Sequence, residues 1–320
     1  MILKQINDVK LFAEKAEPII GVFASEKWMS VYGQELILVG IYKDENQMIG
    51  GFYYTKVKKF GFNMLKLPPY TPHCSLFFLS ESKNLSSQNN FSKEVMQEVC
   101  SYLEKEKCSL SILAFPYSVK DLQHFIWNNY KVIPNYTYLI DLTKSIEEIK
   151  SHFDSKHRNA INKAIKEGVV TEIKSENPEE TFLYFKNSLE AAGANVYEKE
   201  LKQIFTSFSD PSNSFTISAS LNNKVIGKVH CIYDKRACYY LLGGVDKDAG
   251  VQGINNLLVL ASIEKAKELG CTIFDFEGSM LRGVEKFFRG FGPELVPYYT
   301  INKANLFFEL MLKFYKRNIF

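Results

Sequence analysis

Asp275 and Glu277 alternate with Phe274 and Phe276 in the segment TIFDFEGS (272–279). Side chains two apart on an extended strand share a face, so both carboxylates are expected on one side of a strand, placed to bind an ammonium group or to take its proton. Arg289, in FFRGFG (287–292), adds a cation further along the chain. The competing use of the acids is structural, an ion pair with Lys286 or Arg289 that holds the loop together. A second constellation lies upstream. CYYLLGGV (238–245) reads as a strand, DKDAGVQG (246–253) as a polar loop and residues 254–269 as a helix ending at Gly270. Unpaired backbone N–H groups and the positive end of the helix dipole converge on such a loop and stabilise an anion, a diphosphate for example. Gly250 and Gly253 let the backbone approach phosphate oxygens where a side chain would block it. Tyr240, Gly243, Gly244, Val245, Gln252, Ile254 and Asn255 are the expected contacts of the bound group, with the N–H groups of 243–245 as a candidate oxyanion site. Without a ligand, the same glycines are simply a turn before a helix. His230, on the preceding strand, reads as a hydrogen-bonded structural histidine.

The elements that must hold these residues occur twice. LILVGIY (36–42), a turn, and MIGGFYYTKV (48–57) make a hairpin; FTISASL (215–221), Asn222-Asn223-Lys224 and VIGKVHCIY (225–233) repeat it. Both return strands carry Ile-Gly, at Ile49-Gly50 and Ile226-Gly227. A helix running into an apolar strand that ends in Phe then recurs, at MQEVCSYLEKEK with SLSILAF (109–115) and at NNLLVLASIEKAKELG with CTIFDF (271–276). A diverged duplication accounts for both pairs of anchors. Hairpins combined with helices imply an α/β class with mixed sheets, two domains and a join near residue 144. YTYLIDL (136–142) leads into a capping box at Ser145 and Glu148, then a helical connector over 150–167 with Ile161 and Ile165 on its apolar side. Lys150, Lys156, Arg158, Lys163 and Lys166 lie on its other face, which is either solvated or a phosphate-binding surface.

Composition narrows the chemistry. A chain of 320 residues with 46% hydrophobic content can bury two cores. The net charge of +3 gives no global field that would draw DNA, so none is expected as a partner. Five histidines without HxxxH or HExxH spacing and six scattered cysteines predict neither a metal site nor a disulfide framework. There is no P-loop and no GxGxxG after an early strand. The first ten residues do not resemble a signal peptide and no run of about 18 apolar residues occurs, so the expectation is a cytoplasmic protein.

The order hairpin, strand, glycine loop, helix, strand over about 215–277 resembles the GNAT superfamily of N-acetyltransferases, in which the loop before this helix binds the pyrophosphate of coenzyme A. HRNAINKAIKEG (157–168), TIFDFEGS (272–279) and GVEKFFRGFGPELVPYYTI (283–301), with PPYTPHCSLF (68–77) and the segment 28–32, look like the FemAB-like family, the methicillin-resistance-type peptidyltransferases and their relatives. The resemblance implies tandem duplicated GNAT-like domains, with acceptor recognition in 1–144 and acyl-donor binding and catalysis in 145–320. It implies an N-acyltransferase that moves an acyl group from acyl-CoA to an amine acceptor, a small molecule or a peptide such as a cell-envelope precursor. The best-known members instead use aminoacyl-tRNA and act on the peptidoglycan precursor peptide. Their glycine-rich stretch reads Phe-Lys-x-Gly-Phe-Gly, and its lysine position holds Phe288 here, which speaks against tRNA as donor. A third reading is a non-catalytic ligand-binding protein of the same fold.

Trp28, Tyr32 and Tyr70 are the expected acceptor pocket in the first domain, and Lys156 and Arg158 the expected cationic contacts to substrate. The first copy has Ala114 where the second has Asp275 and no comparable glycine loop, so it is expected to recognise acceptor without binding donor. The stretch 303–320 has the pattern of an amphipathic basic helix, which docks on its own domain or lies on a membrane surface.

Overall fold

A computed structural model describes residues 1–59, 61–173, 177–278 and 280–315. It divides into two compact units, Met1–Asn135 with Pro297–Phe320, and Tyr136–Val296.

The first unit opens with β1 (Ile2–Ile6), α1 (Val9–Ile20) and α2 (Glu26–Ser30). The expected hairpin follows as β2 (Leu36–Tyr42) and β3 (Met48–Lys59), then β4 (Phe62–Lys66) and the short β5 (Phe77–Phe78). α3 (Leu85–Lys105) leads into β6 (Leu110–Ala114), and α4 (Gln123–Trp127) into β7 (Lys131–Asp141), along which the chain enters the second unit. That unit continues with α5 (Ile146–Ser151), α6 (Ser155–Lys166), β8 (Val170–Ile173), α7 (Pro178–Ala191) and α8 (Glu198–Ser207). The second hairpin, β9 (Ser214–Leu221) and β10 (Lys224–Tyr233), is followed by β11 (Ala237–Val245), α9 (Ile254–Glu268), β12 (Ile273–Asp275) and α10 (Arg282–Arg289). β13 (Glu294–Ala304) carries the chain back to the first unit, which ends in α11 (Leu306–Tyr315).

Strand order in the first unit is β1-β2-β3-β4-β6-β13 and in the second β8-β9-β10-β11-β12-β7. The two plans match. In each, an antiparallel hairpin is followed by a strand that runs parallel to the one after the long helix, β4 with β6 and β11 with β12. That strand then pairs antiparallel with one from elsewhere in the sequence, β6 with β13 and β12 with β7. Phe115 and Phe276 close the two strands alike, each buried, with their N–H groups donating to the carbonyls of Tyr299 and Tyr138. The fold is therefore α/β with two units of one plan, as the tandem GNAT-like reading expects. The expected division at 144/145 differs from the observed one because Ile301, on β13, is fully buried in the first unit's core beside Leu113 and Phe115.

The repeated Ile-Gly dipeptides serve close approach. A Cβ at Gly50 would lie 2.5 Å from the Phe77 carbonyl on β5, and one at Gly227 would lie 2.8 Å from the Ile254 side chain on α9. The connector is two helices, not one, because Asp154 caps α6 by accepting from the His157 N–H at 2.7 Å while Phe153 is buried. Only Ile161 of the expected isoleucine pair is buried; Ile165 is exposed, and His157 and Ala164 complete the inward face. All six cysteines are free.

Candidate functional site

β11 is paired along one edge with β10, from Tyr233↔Cys238 to Gly227↔Val245. Its other edge pairs with β12 over only Ala237, Cys238 and Tyr239, because β12 ends at Asp275. From Tyr240 to Val245 no strand among the described residues covers that edge. Leu241 is an extra residue in the ladder, since Cys231↔Tyr240 is followed by His230↔Leu242, and a bulge of this kind bends the strand where its pairing with β12 has ended. An aromatic floor lies under the divergence: Tyr240 sits 6.3 Å from Phe276 and 5.7 Å from Phe288, and those two rings are 4.6 Å apart. The glycines of this edge are required by what presses on them. A Cβ at Gly243 would lie 1.8 Å from the Tyr240 hydroxyl, and one at Gly244 would lie 2.2 Å from Ser188 Oγ on α7. The Tyr184 hydroxyl, also on α7, donates to the Gly244 carbonyl at 3.0 Å.

Asp275 sits where the strands part. It is buried, and its Oδ1 accepts from the Thr137 hydroxyl at 2.5 Å and from the Glu277 N–H at 2.9 Å. Burial pushes its carboxyl up to about 6, with both hydrogen bonds opposing the rise. Glu277 is half-buried, and burial followed by the Asp275 charge pushes its carboxyl well above the usual range. The acids meet, but not by strand alternation: Glu277 lies beyond β12 at φ 59°, and Gly278 follows at φ 66°. This left-handed turn ends the strand and folds the Glu277 N–H back onto Asp275. Two coupled carboxyls with raised affinity for protons can accept one from an ammonium group near neutral pH. Arg289 is not their partner. It lies on the exposed end of α10, with Nε 3.3 Å from Glu285, which also accepts from the Tyr138 hydroxyl at 2.8 Å.

Beyond Val245 the chain runs through Gly250 (φ 70°) and Gly253 (φ 86°) into α9. Gly253 caps the helix without any side-chain hydrogen bond, so the N–H groups of Ile254, Asn255 and Asn256 have no intrahelical partner, as in any uncapped first turn. A Cβ at Gly253 would lie 2.1 Å from the Ala160 carbonyl, so α6 and the loop touch through backbone. Gln252 accepts from Lys163 of α6 at 3.1 Å. The connector's other cations are partly engaged: Lys150 pairs with Glu264 at 3.6 Å, and Arg158 donates to the carbonyls of Ser151, the last residue of α5, and Phe153. Lys156 is exposed.

The expected acceptor aromatics lie in the first unit. Trp28 is fully buried and donates its indole N–H to Thr71 at 3.1 Å; Tyr32 is buried and donates to the Pro69 carbonyl at 2.5 Å. Both are buried and hold the loop at Pro69 and Thr71 instead of lining an open surface. Tyr70, in that loop, is half-buried at φ 60°.

Sequence reasoning missed Thr137, Tyr184 and Ser188, which reach the site from β7 and α7. It passed over Lys228, a buried lysine opposite Gly244 whose Nζ lies 5.3 Å from the Tyr184 ring centre. A lysine inside a strand of small and apolar residues is the one signal that pointed there. Among the described residues no cluster of His, Cys, Asp or Glu is arranged to hold a metal.

Residues 155–289 match the acetyltransferase (GNAT) domain family. No protein of curated function matches the sequence. Among solved structures, the chain is similar to FemX, with a TM-score of 0.68 and 13% identity over 98% of this chain and 99% of that one. It is also similar to the C-terminal domain of a putative lysylphosphatidylglycerol synthetase from Agrobacterium fabrum, with a TM-score of 0.60 and 13% identity over 95% and 96% of the two chains. A tandem GNAT protein of the clavulanic acid biosynthesis pathway gives a TM-score of 0.57 and 8% identity over 94% and 98%.

Proposed function

We propose that this chain, a FemAB-like relative with a GNAT domain at residues 155–289, is an acyl-CoA-dependent N-acyltransferase whose donor lies along the free edge of β11. The observation that carries the reading is the parting of β11 from β12 at Tyr239 and Asp275, which leaves a free strand edge that the chain follows directly with the glycine loop and the uncapped helix. An extended pantetheine arm hydrogen-bonds along Tyr240–Val245 as a strand would. Its diphosphate accepts from the N–H groups of Ile254, Asn255 and Asn256, where the helix dipole favours negative charge. The acyl carbonyl then lies near Gly243–Val245, whose N–H groups stabilise the oxyanion. The acceptor ammonium gives a proton to the Asp275–Glu277 pair, and the neutral amine attacks the thioester carbonyl. The tetrahedral intermediate collapses with loss of the coenzyme A thiolate, which takes up a proton as the amide forms. Holding both partners in one cleft supplies much of the acceleration. The first unit, with Tyr70 on its clamped loop, recognises the acceptor, in line with a peptide or other amine of a cell-envelope precursor.

An aminoacyl-tRNA donor, which the likeness to FemX raises, has less support in this chain. Phe288 is buried in the aromatic floor, so it offers no cation there, and much of the connector's charge is already engaged. Thermal unfolding with acetyl-CoA, free coenzyme A or aminoacyl-tRNA tests the choice. A ligand at one hundred times its Kd stabilises by about 2.7 kcal/mol. The proposal expects a Tm rise with both coenzyme A species; a rise with aminoacyl-tRNA alone contradicts it.

A further inference from the structure

α11 has two apolar faces, and among the described residues only one is buried. Asn305 caps the helix by accepting from the Phe308 N–H at 2.9 Å. Phe308 and, one turn on, Leu312 pack onto Phe62, Met64 and Leu110 of the first unit, with the Phe308 and Phe62 rings 4.7 Å apart. On the opposite side, Leu306 is 82% exposed, Phe307 64%, Leu310 59% and Phe314 84%. At 100° per residue these four span an arc of about 100°, with Met311 extending it, so they form one continuous ridge. Ridges of this kind on a monomer mark a docking surface.

The charge around the ridge indicates what docks. Phe307 stacks on Phe62, 6.4 Å between ring centres, which sets the ridge beside the turn between β3 and β4. The β3 arm of that turn carries exposed Lys58 and Lys59, while Lys313 lies on the helix itself next to the ridge. Lys316 and Arg317 follow in the sequence, outside the described residues. The one acid on α11, Glu309, is already engaged by Lys131 at 2.7 Å and Lys313 at 3.1 Å. Leucine and phenylalanine on one face with a basic border suit insertion between anionic headgroups, and a helix of this length lies in the interface without spanning it.

We propose that the ridge Leu306, Phe307, Leu310, Met311 and Phe314 with its lysine border docks this protein on an anionic lipid surface. The proposal makes no use of the transfer reaction, and its test needs no turnover. The full chain is sedimented with vesicles of phosphatidylcholine alone and of phosphatidylcholine with phosphatidylglycerol in a two-to-one ratio. Expected are at least tenfold tighter partition to the anionic vesicles, loss of that preference at high salt, and at least tenfold weaker binding of the double variants Leu310→Ser/Phe314→Ser and Lys58→Glu/Lys59→Glu at unchanged Tm. These residues are exposed, so the variants keep the fold. Equal partition to both vesicle types, no partition, or partition unaffected by the substitutions overturns the proposal. So does a dimer in solution that the Leu310→Ser/Phe314→Ser pair dissociates, since the face would then be covered by a second copy of this chain.

Discussion

Asp275 is the residue on which the proposed chemistry turns, and its burial makes the prediction two-sided. With its carboxyl raised from 3.8 to about 6, the folded protein holds a proton there that the unfolded chain has released. Between these values Asp275 binds more protons in the folded state, so its contribution to stability falls as pH rises and is fully lost above about 6, with Glu277 adding a fall of the same sign. Asp275→Asn keeps an oxygen to accept from Thr137 and Glu277 but carries no charge. It is expected to flatten that slope in pH-dependent denaturation, leave Tm at neutral pH equal or higher, and lower kcat about a hundredfold. A wild-type rate that is flat between pH 5 and 8 would remove the pair as proton acceptor. Arg289 gives the opposite expectation: its pairing with Glu285 is exposed, so Arg289→Ala should change stability by less than about 1 kcal/mol and leave kcat within about threefold. The types of the two acids were legible in the sequence. Their arrangement was not, because alternation says nothing of a left-handed residue at 277, and Thr137 lies 138 positions from Asp275.

At the scale of elements, the turn from β11 into α9 depends on Gly253. Its φ of 86° and the Ala160 carbonyl 2.1 Å from any Cβ predict that Gly253→Ala costs about 2 kcal/mol or more and weakens coenzyme A binding, as urea unfolding and calorimetry would show. Gly250 has a left-handed φ but open space around it, so Gly250→Ala should cost only about 1 kcal/mol. The hairpins, the glycine loop and the following helix could be read from the sequence because alternation and helix-stop signals are local. The break between α5 and α6 was hidden because Ile149 and Phe153 continue a helical spacing across it. What decides is the bond from Asp154 to the His157 N–H, reinforced by the imidazole at 2.8 Å. The engagement of Lys150 and Lys163 was likewise invisible, since Glu264 and Gln252 lie on α9 and its preceding loop.

At the scale of the whole molecule, duplication was legible because each half repeats its elements in order, while the division into units was not. Strand pairing across a long sequence separation leaves no local trace, and β13 reads the same whether it pairs near or far. Removing residues 297–320 should therefore unprotect the amides of β6, whose partner is β13, and spare those of β12, as hydrogen exchange would show. Tyr184 and Ser188 join the site only because α7 folds over Gly244. The central claim is that acyl-CoA occupies the free edge of β11 and the first turn of α9. Following backbone amide resonances during titration with acetyl-CoA tests it most directly. The account predicts saturable shifts concentrated at Tyr240–Val245 and at Ile254, Asn255 and Asn256. Saturable shifts confined to other elements, or none at millimolar ligand, would contradict it.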